Sequence, residues 1–228
     1  MATYALIHGA GDAWYWHRVV PELASRGHEV VAPNLPSEDT ASLTDYAATV
    51  VKAIGDRRDV VVVAQSLGGF TGPLVCAQVP ADLLVMVAAM IPSPGESIAE
   101  WWGNTGAEAA RRAEDEREGR ATEEFDVVTS FFHDVPPDVV ADGMSRAQRP
   151  ESETAWNQPW PLTEWPAVPT RFLLGRNDRF FPADFMRGVV RDRLGLVPDE
   201  IDTGHLPALA RPEELADRLE AYHAELGR

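Results

Sequence analysis

One stretch of this 228-residue sequence decides the fold. It reads Val60-Val61-Val62-Val63-Ala64-Gln65-Ser66-Leu67-Gly68-Gly69-Phe70. Four consecutive valines leave no polar face, which is typical of a strand buried on both sides in a parallel sheet. Because the chain turns into a helix directly after Ser66, we expect the serine hydroxyl above the carboxyl end of the strand. Open α/β sheets place their functional sites at that edge.

The turn at Ser66 brings a strand and a helix close together, so it requires small residues two positions before and after the serine. Gly68 meets this requirement, and Ala64 stands where the G-x-S-x-G pattern has its first glycine. A serine after a strand also serves as a helix N-cap in many proteins. Ser66 is therefore a candidate nucleophile whose assignment depends on finding its partners.

The rest of the sequence alternates strand-like and helix-like segments. Strands are predicted at 4–7, 30–32, 59–64, 83–89, 170–174 and 197–201, and helices at 14–26, 42–54, 67–78, 183–194 and 212–226. This order predicts an α/β fold with a mostly parallel, doubly wound sheet of about six strands. The strand signals stop between residues 92 and 169. We therefore expect a core of residues 1–91 and 170–228 and a helical insertion of residues 92–169 after the fourth strand.

The candidate nucleophile needs a base and a carboxylate that orients it, because a serine hydroxyl is a weak nucleophile until its proton is taken. In this fold the three follow the chain order serine, acid, histidine. His205 lies in a loop after the last predicted strand, whereas His223 falls inside the terminal helix. Asp178 follows the preceding strand, and it is favoured over Asp202, which lies only three residues before the histidine. A turn residue bonded to its own backbone is the alternative interpretation of Asp178.

Acyl transfer also requires hydrogen-bond donors for an oxyanion. One predicted donor is the backbone N–H of Leu67, directly after the serine. The second is the N–H of Ala10 in the loop after the first strand, with the neighbouring Gly11 as the alternative. His8 is expected to brace this loop.

The remaining histidines and the tryptophans carry weaker expectations. Surface or helix roles are expected for His17, His28 and His133. The insertion holds five of the 7 tryptophans, which suits the roof of a pocket or packing on the core.

Composition excludes several classes of partner. The chain has 20 basic and 36 acidic residues, a net charge of −16, so phosphate backbones and anionic membranes should repel it. Its single cysteine, Cys76, cannot form an internal disulfide. No apolar run approaches the roughly 20 residues that cross a bilayer. The chain also starts without the pattern of a secretory signal. We therefore expect a cytoplasmic protein with no nucleic-acid or membrane partner.

Four segments resemble the α/β-hydrolase superfamily: His8-Gly9-Ala10, Ala64-Gln65-Ser66-Leu67-Gly68-Gly69, Gly175-Arg176-Asn177-Asp178 and Gly204-His205-Leu206-Pro207. Within it, the sequence is similar to the branch of small esterases, plant methyl esterases and hydroxynitrile lyases. The resemblance implies a Ser66–Asp178–His205 triad, a helical cap over the pocket and no cofactor. The lyases place a lysine after the catalytic histidine. Leu206 occupies that position here, which favours the esterases.

These observations predict a serine hydrolase that cleaves small neutral carboxylic esters through an acyl-enzyme. One alternative keeps the triad for carbon–carbon cleavage, lactone opening or a biosynthetic cyclisation. Another is a ligand-binding protein with the same fold and no turnover. The sequence leaves the substrate's identity and the oligomeric state open.

Overall fold

The computed structural model describes residues 1–120, 125–147 and 149–226. Its strands are β1 (Thr3–Ile7), β2 (Glu29–Val31), β3 (Val60–Gln65), β4 (Ala81–Val87), β5 (Thr170–Gly175) and β6 (Asp199–Ile201). All neighbouring pairs are parallel, and the order across the sheet is β2-β1-β3-β4-β5-β6. The predicted α/β fold with a mostly parallel sheet of about six strands is confirmed.

Helices cover both faces of the sheet. They are α1 (Val19–Ser25), α2 (Leu43–Ile54), α3 (Gly72–Cys76), α4 (Ile98–Thr105), α5 (Ala107–Arg117), α6 (Val127–Phe131), α7 (Pro137–Ser145), α8 (Glu153–Asn157), α9 (Ala183–Leu194), α10 (Pro207–Ala210) and α11 (Pro212–Leu226). Helices α2, α3 and α9 share one apolar core, and α1 and α11 share the other. Across the described ranges, no helix combines the length and the apolar character needed to span a membrane.

The central strand β3 is fully buried, as its run of valines predicts. Val63 pairs with Leu6 of β1 on one side and with Val85 of β4 on the other. Alternate side chains of β3 enter the two cores, Val62 on one face and Val63 on the other. Pairing on both sides fixes β3 in the sheet, and this fixes the position of the turn at Ser66 that follows Gln65.

Prolines shorten two of the predicted helices. The segment predicted as one helix over 67–78 begins as a 3₁₀ helix, Ser66–Phe70, and continues as α3. Pro73 has no N–H to give to a continuous helix, and it is tolerated only in the first turn of a new one. The segment 14–26 divides in the same way into a 3₁₀ helix, Ala13–Trp16, and α1, which places Pro21 in a first turn.

Proline also delays the last strand, which was predicted from residue 197. Val197 is 92% exposed, and β6 begins only at Asp199. The intervening Pro198 cannot donate a ladder hydrogen bond, so pairing with β5 starts after it.

Residues 92–169, called here the cap segment, connect β4 to β5 and contain α4 to α8. Two buried tryptophans attach the segment to the core. The indole N–H of Trp101 donates to the carbonyl of Ile91, and that of Trp160 donates to the carbonyl of Phe70, both at 3.0 Å. The second bond joins the cap segment to the helix that starts at Ser66.

Candidate active site

Ser66 occupies a tight turn between β3 and the 3₁₀ helix. Its φ angle is +50°, a left-handed conformation that side chains other than glycine rarely adopt. The helix approaches the first strand so closely that a Cβ atom on Gly68 would lie 2.7 Å from the carbonyl oxygen of His8. A Cβ atom on Gly69 would lie 1.9 Å from the carbonyl oxygen of Met90. Glycine at 68 and 69 therefore makes this turn possible.

The alanine that replaces the first glycine of the motif is accommodated by a glycine further along. A Cβ atom added to Gly72 would lie 2.8 Å from the Cβ of Ala64, which is too close for two methyl-sized groups. Because Gly72 has no side chain, α3 still packs directly on β3. The contact therefore holds one methyl group, which belongs to Ala64 of the strand and not to residue 72 of the helix.

The predicted nucleophile, base and acid lie in one hydrogen-bonded chain. His205 Nε2 and Ser66 Oγ are 2.9 Å apart, and His205 Nδ1 and Asp178 Oδ2 are 2.7 Å apart. A carboxylate accepts hydrogen bonds, so Nδ1 carries the proton and Nε2 accepts the serine hydroxyl. The other oxygen, Asp178 Oδ1, accepts the backbone N–H groups of Phe180 and Phe181 at 2.8 and 2.9 Å. These bonds fix the carboxylate.

The loops after β5 and β6 are joined by their backbones. Asn177 N–H donates to the carbonyl of Thr203 at 3.0 Å. A Cβ atom on Gly175 would lie 2.4 Å from the carbonyl oxygen of Gly204, so only glycine permits this approach. The two loops therefore hold Asp178 and His205 beside each other.

Three phenylalanine rings surround the imidazole of His205. The ring centroids of Phe131, Phe180 and Phe181 lie 5.2, 5.1 and 5.1 Å from that of His205. His205 is 1% exposed and Asp178 is 5% exposed. Apolar rings in this position restrict rotation of the imidazole and keep water from its hydrogen bond with the carboxylate.

His8 braces the loop after β1, as predicted. Its Nε2 accepts the N–H of Leu35 at 3.1 Å, so Nδ1 carries the proton and donates to the carbonyl of Gly9 at 2.7 Å. Burial lowers the pKa of His8 from its ordinary value. A neutral imidazole is the form that makes both bonds.

Gln65 is a site residue that the sequence interpretation missed. Its Oε1 accepts the N–H of Gly9 and its Nε2 donates to the carbonyl of His205, both at 3.2 Å. The side chain therefore joins the loop after β1 to the loop that carries the imidazole. Its position directly before Ser66 was the available signal, since a polar side chain at the end of a fully buried strand requires hydrogen-bond partners.

The two candidate donors after β1 differ in their surroundings. The N–H of Gly11 donates to Glu151 Oε1 of the cap segment at 3.3 Å. The N–H of Leu67 lies in the first turn of a helix, where backbone donors have no intrahelical acceptor. Ala10 and Leu67 both line the cavity that contains Ser66. Because the N–H of Gly11 is already hydrogen-bonded to Glu151, the N–H of Ala10 is favoured as the second oxyanion donor.

A cavity of about 530 Å³ opens above Ser66 and His205. Its wall is largely apolar and includes Trp102 and Trp156, two of the five tryptophans of the cap segment. The charged residues on its lining are two acids and two bases: Asp12, Glu151, Arg146 and Arg149. The volume suits a small organic molecule, and the balanced charges leave the lining without a net charge.

The structure separates the remaining candidates from this site, with one exception. Asp202 is exposed and bonded to Asn177, His17 is exposed, and His28 pairs with Glu220. The surface or helix role expected for His133 is wrong, because its Nε2 is buried and lies against Gly204, the residue before His205. Within the described ranges, no three histidine, cysteine, aspartate or glutamate side chains form a group suited to a metal ion.

Comparison with known proteins agrees with this fold. The Alpha/beta hydrolase family profile matches residues 5–218, and the chain belongs to that family. It is similar to Methylesterase 9 of Arabidopsis thaliana, with 26% identity over 96% of this chain and 97% of the relative. Methylesterase 3 of the same plant is 25% identical over 92% and 91%. The predicted resemblance to the methyl esterase branch is confirmed.

A solved structure shows the same fold. It is an extracellular α/β-hydrolase from a Paenibacillus species, which superposes with a TM-score of 0.77 at 21% identity. The superposition covers 98% of this chain and 99% of the other.

Proposed function

We propose that this protein hydrolyses small neutral carboxylic esters through an acyl-enzyme formed on Ser66. The observation that carries the proposal is the continuous hydrogen-bonded chain from Ser66 Oγ through His205 to Asp178, whose serine end lies in the apolar cavity. Serine, imidazole and carboxylate in this order are the groups that acyl transfer requires. The names of the two methylesterases agree with this reaction class and make methyl esters the first substrates to test.

In the first step Ser66 Oγ attacks the ester carbonyl while His205 Nε2 takes the hydroxyl proton. Asp178 accepts the hydrogen bond from Nδ1 and stabilises the imidazolium that forms. The carbonyl oxygen becomes an oxyanion, for which the N–H groups of Leu67 and Ala10 are the proposed donors. When the tetrahedral intermediate collapses, the carbon–oxygen bond to the alcohol breaks. The imidazolium then gives its proton to the departing alcohol.

In the second step a water molecule replaces the alcohol. His205 takes a proton from the water, which attacks the acyl carbon, and the bond to Ser66 Oγ breaks as the serine regains a proton. The products are a carboxylic acid and free enzyme. The cap segment, residues 92–169, forms the roof of the cavity in this proposal and excludes bulk water from the acyl-enzyme.

The substrate class follows from the cavity lining. A largely apolar wall favours an ester whose acid or alcohol part is apolar. Two acids and two bases on the lining give no net attraction for a charged substrate, and the overall charge of −16 repels anions. Neutral esters with an apolar part fit both features. A cytoplasmic location and the lack of nucleic-acid partners stay predictions from the sequence.

The test is labelling with a fluorophosphonate probe, followed by mass mapping of the adduct. We expect an adduct on Ser66 in the native protein and none in Ser66→Ala, and we expect His205→Ala to label far more slowly. Ser145→Ala and His17→Ala change exposed residues of the same types and should label like the native protein. A folded native protein that does not label contradicts the proposal and favours a ligand-binding role.

Turnover of a panel of methyl esters separates hydrolysis from other uses of the triad. We expect Ser66→Ala to lower kcat by about four to six orders of magnitude while its thermal unfolding stays close to native. Labelling of Ser66 without acid release from any ester would instead point to another reaction of the same three residues.

A further inference from the structure

The end of α6 and the residues after it lie directly against the loop that carries His205. Phe131 packs its ring on the imidazole at 5.2 Å. Three residues later, Asp134 Oδ2 accepts the N–H of Gly204, the residue before His205, at 2.6 Å. The cap segment therefore contacts both the side chain of the proposed base and the backbone that supports it.

A side chain at position 204 would have to displace the side chains of two cap residues. A Cβ atom there would lie 2.6 Å from His133 Nε2 and 2.8 Å from Asp134 Oδ1. Two consecutive cap residues thus face one glycine of the core. A displacement of these cap residues would therefore be felt at Gly204, because protein interiors are close-packed.

The Asp134 bond is suited to holding a backbone in place. It joins a carboxylate to a buried N–H, and hydrogen bonds with one ionised partner are about twice as strong as neutral ones. The carbonyl of the next residue, His205, is held from the core by Gln65. The imidazole loop is consequently fixed from the cap segment on one side and from β3 on the other.

We propose that Asp134 is a positioning residue, which holds the Gly204–His205 backbone so that His205 Nε2 reaches Ser66 Oγ. In this arrangement the reactive geometry is complete only when the cap segment is seated on the imidazole loop. The proposal rests on the proposed function, since it concerns the same serine and histidine. Asp134 itself lies outside the proton path and touches no reacting atom in this account.

The test compares Asp134→Ala and Asp134→Asn with matched changes at Asp138. Asp138 is an exposed residue in the first turn of α7, on the same cap segment. One measurement is the rate of fluorophosphonate labelling, which reports activation of Ser66. A small probe makes few contacts with the cap segment. The other is kcat and KM for p-nitrophenyl acetate, whose acyl group of two carbons keeps contact with the cap segment small.

We expect Asp134→Ala to lower the labelling rate and kcat by about 10- to 100-fold, with KM within about threefold of native. Displacement of a catalytic group by about 1 Å costs on that order. Asp134→Asn keeps an acceptor for the Gly204 N–H but loses the charge, so its rates should lie between those of Asp134→Ala and native. Asp138→Ala and Asp138→Asn should match the native protein.

The outcomes distinguish this inference from the proposed function. If Asp134→Ala labels at the native rate and only its KM for bulky esters is raised, the inference is overturned and the proposed function stays intact. If Asp134→Ala does not fold, Asp134→Asn decides, and native rates in that variant overturn the inference. A native protein that never labels at Ser66 overturns both.

Discussion

Gln65 donates a hydrogen bond from its side-chain amide to the carbonyl oxygen of His205, at 3.2 Å. The glutamine is 3% exposed, and its other amide atom accepts the N–H of Gly9. A single side chain next to the proposed nucleophile therefore sets the distance between the loop that carries the base and the loop that carries a proposed oxyanion donor. Both loops depend on a residue that takes no part in proton transfer.

Replacement of this glutamine should slow turnover and weaken the fold. Gln65→Met has a similar size but leaves the N–H of Gly9 and the carbonyl of His205 without a partner. Each buried polar group left unsatisfied costs about 1–3 kcal/mol. We expect kcat to fall by about tenfold, since misplaced catalytic groups lose rate steeply. Steady-state kinetics and urea unfolding measure the two effects.

Gln78→Met is the matched control, because Gln78 is exposed in the turn after α3 and its side-chain amide donates to the nearby carbonyl of Leu74. It should leave both quantities unchanged. A native kcat in Gln65→Met would show that other contacts hold the two loops.

The contact between Ala64 and Gly72 predicts a compensating pair. Gly72→Ala alone should destabilise the protein by about 1–3 kcal/mol, the usual cost of overpacking a core. The same change in an Ala64→Gly background should cost much less, because the second methyl group then has room. Urea unfolding of the four proteins gives the coupling free energy between the two positions. Additive effects would contradict the close contact of α3 with β3.

Two glycines, one in an exposed α-helix and one in the buried 3₁₀ helix after Ser66, should respond oppositely to alanine. Gly103 is exposed in α4, and a Cβ atom added there meets nothing within 4 Å. Gly103→Ala should therefore raise the free energy of unfolding by about 0.5–1 kcal/mol through helix propensity. Gly68→Ala should lower it, and should also lower kcat, because its methyl group would meet the carbonyl of His8. Thermal unfolding of both variants checks the contrast.

His8 should make stability depend on mildly acidic pH. Burial lowers the pKa of His8 below its ordinary value of 6.5, so the unfolded chain takes up a proton before the folded protein does. The free energy of unfolding is therefore unaffected by protonation of His8 above about pH 6.5. It falls as the pH drops from there toward the lowered pKa, by at most about 1.4 kcal/mol per pH unit for one proton.

The variant His8→Gln keeps an acceptor for the N–H of Leu35 but cannot titrate. Urea unfolding at pH 7.5 and 5.5 should show a smaller loss of stability in His8→Gln than in the native protein. His17→Gln, at an exposed position, should lose as much as native. Equal losses in all three proteins would show that His8 does not contribute to the acid sensitivity.

The sheet and the three hydrogen-bonded residues were predictable because their signals are local. A run of valines marks β3, and the change from strand to turn marks Ser66. Asp178 and His205 each follow a strand, and parallel strands end at one edge of a sheet. The predicted helices that proved shorter contain Pro21 and Pro73. In both cases the residue that ends the longer helix was present in the sequence.

The supporting contacts were not predictable in the same way. Asp134 and Gly204 are 70 residues apart, and Gln65 and His205 are 140 residues apart. No periodicity or spacing connects such positions, since the first contact exists only when the cap segment packs on the core and the second only when β3 and β6 lie in one sheet. The role of His133 was missed for the same reason, because nothing near it in sequence indicates that it packs against Gly204.

The place at which the cap segment joins the core bears on how substrate preference can be altered. The segment leaves after β4 and returns at β5, so its replacement would leave the pairing register of the six strands unchanged. Chimeras that carry a foreign cap are therefore a direct route to new ester preferences. Their speed would depend on whether the transplanted segment also supplies an acceptor at the position of Asp134.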